Sequence, residues 1–201
     1  MKSKTEAKRQ AILRAAAEVF REVGFERASM SEIRARVGGS KATLYNYFPS
    51  KEKLFFEVMY QATERTLVDI TATLDPEAQD VKHELLRFGQ TLLPALYSPQ
   101  AIALRRLAIA ESGQSDIGKV VFEGATVPME KHVAEFLRGA MKRGSLRSAD
   151  AKIAAMHLLS LLESELLQRV LLGVESSVKP DGVRASVRRA VEVFLSGYQR
   201  P

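Results

Sequence analysis

Apolar residues recur along this chain at helical spacing. Between Ala11 and Val23, Ile12, Ala15, Ala16, Val19, Phe20 and Val23 fall three or four residues apart and mark one face of a helix. Gly24 follows as its stop. Ser29-Met-Ser-Glu32 has the spacing of a capping box, in which the serine oxygen takes a free N–H three residues on and the glutamate reaches back. The helix it opens is short, with Ile33 and Val37 on one side, and Gly38-Gly39 breaks it. Ser40 caps a second short helix, Lys41 to Tyr47, which ends at Phe48-Pro49. Ser50 caps a longer helix running from Lys51 towards Leu74.

Further along, Asp75-Pro76 and Ser98-Pro99 each place a capping residue before a proline suited to the first helical turn. Gly113, Gly144 and Gly173 follow apolar-periodic stretches and read as helix ends. Pro128 predicts a kink or split in the segment 116–143. A leucine-rich helix is expected from about Asp150 to Leu172, and a last one from about Pro180 to Tyr198. Val183, Val187, Val191, Phe194, Leu195 and Tyr198 form the stripe of that last helix. No segment sustains the alternation of a strand, and neither an internal repeat nor a low-complexity linker is present. The pattern predicts an all-α protein of about nine helices. Residues 1–50 would form a three-helix helix-turn-helix domain, and 51–201 a helical regulatory and dimerisation domain.

Charge sharpens this division. Residues 1–53 hold 12 Lys/Arg against 6 Asp/Glu, which accounts for the whole net charge of +6 on the 201-residue chain. Positive charge confined to one end marks a module for a polyanion attached to a neutral body. With no cysteine, disulfides, thiolate metal sites and cysteine nucleophiles are excluded, as expected for a cytoplasmic protein. The N-terminus lacks the apolar run of a signal peptide, and no apolar stretch approaches the roughly 20 residues that span a bilayer. His83, His132 and His157 are isolated, without metal-ligand spacing. No P-loop, nucleophile elbow or dinucleotide fingerprint appears. Neither an enzyme, a metal nor a cofactor is expected.

The segment 29–51 combines a capped helix, a glycine turn and a second capped helix, with Ile33, Val37, Leu44 and Phe48 supplying the contact between them. Such a pair places the start of its second helix in a DNA major groove. Lys41, Ala42 and Thr43 are suited to base edges there: an ammonium to guanine, methyl groups to thymine. Tyr45, Asn46 and Tyr47 carry donors for phosphates. Lys51, at a helix start, offers N–H groups and an ammonium to another phosphate.

This stretch closely resembles the DNA-binding domain of the tetracycline-repressor (TetR) family from Lys8 to about Val58. Leu44-Tyr-Asn-Tyr-Phe-Pro-Ser-Lys51 is the most specific part, and Phe20-Arg-Glu-Val-Gly-Phe25 matches the ending of the family's first helix. The resemblance implies that Ser29 and Lys51 flank the site as phosphate contacts and that Lys41 to Tyr47 is the recognition helix. Three positions depart from the family pattern. Arg34 and Val37 stand where small alanines are usual, and Gly39 replaces an apolar residue after the turn. Arg34 is expected to shift the helix angle or to extend outward towards the DNA backbone.

The stretches Ala103–Ser112 and Leu161–Gly173 resemble the AefR-like C-terminal subfamily, which implies a helical body with a dimer interface and an unidentified small-molecule effector. Leu161, Leu162, Val187, Val191, Phe194 and Leu195 are the expected interface between two copies, whose heads would address an inverted repeat of double-stranded operator DNA. Phe88, Leu92, Leu104, Phe122, Met129 and Leu158 are candidates to line a ligand pocket. Glu163 would either meet a cationic ligand or pair with Arg105 or Arg106, the cheaper arrangement for a buried carboxylate. The expected function is a repressor released from DNA by a ligand. The alternative is a constitutive or protein-controlled DNA-binding regulator, activators included, without a small-molecule switch.

Overall fold

The computed structural model describes residues 2–71, 73–113, 117–175 and 177–200. The chain forms two compact units, Met1–Ala62 and Thr63–Pro201.

The first unit contains α1 (Lys2–Arg27), α2 (Met30–Val37), α3 (Lys41–Tyr47) and the start of α4 (Lys51–Thr71). As expected, Gly24 interrupts α1, with φ 78° and ψ 167°. The core takes Ile12, Ala16, Val19 and Phe20 from α1, Met30 and Ile33 from α2, Leu44 and Phe48 at α3, and Leu54, Phe55 and Phe56 from α4. The Phe55 ring stands edge-on to Phe20 at 5.0 Å and 4.7 Å from Phe25, favourable aromatic geometries. Arg9 joins Glu57 at 2.7 Å. These contacts bind the first turns of α4 to α1, so the unit extends to Ala62 rather than stopping at residue 50.

The second unit continues through α5 (Val81–Leu96), α6 (Pro99–Glu111), α7 (Ile117–Val121), a π-helical stretch over Phe122–Thr126, α8 (Val127–Lys142), α9 (Ala151–Glu163), α10 (Leu167–Leu171) and α11 (Pro180–Tyr198). Its core is one apolar cluster in which Leu85, Phe88, Leu92, Leu137, Leu158, Leu162, Val187, Val191 and Phe194 are almost fully buried. At Gly89 the helices come close. A Cβ there would lie 2.7 Å from Val187 and 2.8 Å from Leu162, so a hydrogen at this position sets the spacing of α5, α9 and α11.

Three local expectations need correcting. Asp75-Pro76 opens a turn rather than a helix: the Asp75 carboxylate accepts from the N–H of Glu77. Asp80 is the residue that caps α5, through the N–H of His83. The leucine-rich segment is not one helix, because the Ser164 hydroxyl and N–H both turn to the Leu161 carbonyl and α9 ends at Glu163. The kink or split expected at Pro128 is instead a π-helical stretch just before it. Backbone dihedrals stay helical through Val121 and Val127, and a π-turn, rather than a break, precedes a proline that lacks an N–H. Ser98-Pro99 does start α6 as expected. Nine helices exceed five residues among those described, and α7, α10 and the π-stretch, five residues each, lie beyond that number. No helix among the described residues is long and apolar enough to cross a membrane.

Candidate nucleic-acid interface

The site is built on two serine caps and a glycine turn. The Ser29 oxygen accepts from the Glu32 N–H at 3.2 Å and starts α2. Glu32 does not complete the box; its carboxylate lies 3.8 Å from Arg36. Arg36 also pairs with Glu22 of α1, and that hydrogen bond holds the Glu22 carboxyl below the usual carboxylate range. The Gly38 N–H closes α2 on the Arg34 carbonyl at 2.9 Å. Ser40 then caps α3, accepting from the Thr43 N–H at 3.1 Å, and its hydroxyl meets that of Thr43 at 2.9 Å.

Helix α3 buries Leu44 and leaves Lys41, Ala42, Tyr45 and Asn46 exposed, with Thr43 and Tyr47 half-buried. The Lys41 ammonium lies 5.6 Å from the Tyr45 ring centre, one helical turn on. Arg34 is exposed, yet it lines a small gap between α2 and α3 together with Val37, Thr43 and Leu44. Lys51, expected at a phosphate, donates to the Phe25 carbonyl at 2.9 Å and sits 4.3 Å over the Phe25 ring. Lys8 escaped the sequence reading altogether. From α1 its ammonium donates to the carbonyls of Gly38 at 3.1 Å and Val37 at 3.4 Å. A lysine thirty residues upstream of a turn carries no local signal of that contact.

The body candidates are distributed differently from the expectation. Phe88, Leu92, Leu104, Met129 and Leu158 are buried, whereas Phe122 is 54% exposed on the π-stretch and does not line an interior with them. Glu163 makes a two-pronged ion pair with Arg105, at 2.7 and 3.3 Å. Arg106 instead donates to the carbonyls of Val170 and Leu171. Near Glu163 lies a residue that periodicity could not single out. The Tyr97 hydroxyl is buried beside the Glu163 carboxylate, outside good hydrogen-bond geometry. Loss of water, with the negative charge of Glu163 second, raises its pKa above that of an ordinary tyrosine. An open groove of about 680 Å³ elsewhere in this unit is lined by polar residues such as Asp80, Lys82 and Glu192 together with Val81 and Leu195, and includes none of the pocket candidates. No group of three or more metal-ligating side chains occurs among the described residues.

The expected dimer stripe belongs mostly to the subunit itself. Leu162, Val187, Val191 and Phe194 are at most 1% exposed in the single chain, and Leu195 is 8% exposed. Surface already removed from water inside one chain contributes nothing on association. Leu161 is half-buried. The apolar side chains that α9 and α11 do present outward are Ile153, Met156 and Val193.

Comparison with known proteins places both units. Residues 12–58 match the family model described as bacterial regulatory proteins, tetR family, and residues 83–200 match the AefR-like transcriptional repressor C-terminal domain. Nucleoid occlusion factor SlmA of Haemophilus influenzae is 29% identical over 164 residues, which cover 74% of this chain and 68% of SlmA. A crystal structure of a TetR-family regulator from Mesorhizobium loti superposes with a TM-score of 0.82 at 27% identity, over 98% of both chains. The flavonoid-responsive regulator FrrA superposes with a TM-score of 0.73 at 29% identity, over 96% of this chain and 98% of its own. The capped helix pair and the all-helical body thus have one explanation: the chain belongs to the tetR family of bacterial regulatory proteins, DNA-binding transcriptional regulators rather than enzymes, and carries an AefR-like C-terminal domain.

Proposed function

We propose that the protein is a cytoplasmic, dimeric repressor that leaves its operator when a small molecule binds the second unit. The observation that carries the DNA half is the exposed row Lys41, Ala42, Tyr45 and Asn46 on a helix anchored by Leu44 and capped by Ser40. A short helix held from behind, with its N-terminal turn exposed, suits insertion into a major groove. Lys41, Ala42 and Thr43 read base edges. Arg34, Tyr45, Asn46, Tyr47 and Lys51 hold phosphates, and Ser29 joins them at the start of α2. Two copies joined through the outer faces of α9 and α11, at Ile153, Met156 and Val193, address an inverted repeat.

Tyr97 supports the ligand half. The Tyr97 hydroxyl lies buried beside Glu163 without good hydrogen-bond geometry, and a ligand acceptor that bonds it well would gain about 1 kcal/mol. Arg105 and Glu163 already neutralise each other, so a charged ligand would have to break their pair. The fitting ligand is therefore neutral, mostly apolar, and carries a carbonyl or hydroxyl. A flavonoid has this character, and FrrA is flavonoid-responsive by name. Binding releases DNA only to the extent that the ligand prefers the DNA-free state. The second reading, a regulator without a small-molecule switch, draws support from Phe88, Leu92 and Leu158, which are fully buried against the protein's own side chains.

Selection from a random duplex pool with the purified chain tests the first half, with an enriched inverted repeat as the expected result. That repeat then serves as the probe for neutral aromatic compounds that displace the protein. Displacement by one of them, weakened in Tyr97→Phe, supports the switch. Enrichment of a repeat with no displacement by any neutral or charged compound favours the constitutive regulator.

A further inference from the structure

We infer that Lys8 is a positioning residue for DNA reading: from α1 it fixes the glycine turn and thereby the angle at which α3 meets its groove. The inference rests on the DNA-binding role of the first unit. The turn between α2 and α3 consists of Gly38 and Gly39, at φ 70° and 109°, conformations open to glycine and few other residues. Two glycines in sequence carry no side chain that could tie the turn to the core, and glycine is the most conformationally free residue. Both are exposed. The next residue, Ser40, is occupied in capping α3.

Lys8 supplies the missing tie from outside the motif. Its ammonium holds the Gly38 carbonyl at 3.1 Å and the Val37 carbonyl at 3.4 Å, both at the end of α2, where free carbonyls and the helix dipole favour a cation. A Cβ on Gly39 would lie 3.8 Å from the same nitrogen, so the ammonium sits against the turn along its length. The sequence departs from the family's apolar residue at Gly39, and the charge from α1 takes over that anchoring.

A positioning lysine and a lysine that grips DNA itself leave different traces. Each phosphate contact adds about 0.9 to the steepness with which affinity falls with salt on a logarithmic scale. A residue that acts through the turn leaves that slope alone and lowers the fraction of molecules with α3 correctly set. The test uses full-length Lys8→Gln and Lys8→Arg, the selected operator and a random duplex, over a range of salt. Amide exchange of residues 38–43 is followed in the DNA-free protein. In Lys8→Gln the turn amides should exchange several times faster, and operator affinity should fall about tenfold at an unchanged salt slope. Random-duplex binding should hardly move, and Lys8→Arg should restore both readouts. Unaltered exchange in Lys8→Gln overturns the inference whatever the DNA data show. Equal losses on both duplexes with a shallower salt slope overturn it in favour of a direct phosphate contact. Wild-type protein that prefers no duplex would instead remove the DNA-binding reading, while the exchange comparison still reports on the turn.

Discussion

Gly38→Ala isolates one physical effect with unusual clarity. At Gly38 the backbone has φ 70° and ψ 158°, a region essentially restricted to glycine. A Cβ added there meets no atom within 4 Å, so crowding contributes nothing and the whole cost is backbone strain, about 1–3 kcal/mol. For a unit of this size each kcal/mol lowers Tm by about 4–8 °C, so the first unit should melt roughly 4–24 °C earlier. Gly182→Ala is the matched control. Its Cβ also enters open space, but Gly182 lies in α11 with no positive φ, and alanine there should stabilise by about 0.4–1 kcal/mol through the unfolded chain. Calorimetry of the full chain, with hydrogen exchange to assign each transition to its unit, measures both. The same glycine-to-alanine change should therefore act in opposite directions at two equally roomy positions. If Gly38→Ala melted with the wild type, the left-handed turn would be wrong, and with it the geometry that leads into α3.

Further perturbations probe the site and its supports. Ser40→Ala removes the α3 cap at a cost of about 1 kcal/mol and should raise exchange at the Thr43 amide about fivefold, as measured by mass spectrometry. Lys41→Ala should alter preference between operator variants by about 1–3 kcal/mol, whereas Tyr45→Ala should weaken all duplexes alike and flatten their salt dependence in fluorescence anisotropy titrations. Acid should destabilise the second unit through Glu84 and Glu165, whose carboxyls Arg87 and Arg189 hold below the ordinary value. A carboxyl depressed in the folded state stabilises above its unfolded pKa, and that contribution disappears as pH falls through the folded one. Denaturant midpoints should thus drop below about pH 4.5, and less so in Glu165→Gln. Met156→Asp should dissociate the dimer in sedimentation experiments without unfolding the subunit, because Met156 is 40% exposed in the single chain.

Much of the first unit was legible because its signals are local. Ser29, Ser40 and Ser50 cap helices at the distance their spacing implies, and Gly24 and Gly38 sit at positive φ where the apolar pattern stops. The body was legible in its helices but not in their partners. A stripe such as Val187, Val191 and Phe194 looks the same whether it faces a neighbouring helix of its own chain or a second copy. Its near-complete burial in the single chain and the close packing at Gly89 against Val187 and Leu162 reveal the first. The ties formed by Lys8 with Gly38 and by Arg105 with Glu163 cross 30 and 58 residues, and no period in the sequence encodes a contact at that range. Tyr97 was missed for a related reason: the burial of its hydroxyl beside Glu163 is a property of what surrounds it.

The π-stretch over Phe122–Thr126 has a consequence for how this body can evolve. Such a turn holds one more residue than an α-helix would over the same rise, which is the signature of an insertion absorbed without breaking the helix. Removing one residue, for instance Gly124, would restore regular winding. Everything upstream would then rotate by about 100° about the axis relative to α8, carrying the exposed Phe122 to a different side. Insertion or loss of a single codon here is therefore a route by which homologues can exchange one outward-facing aromatic surface for another while α8 and its buried residues stay in place.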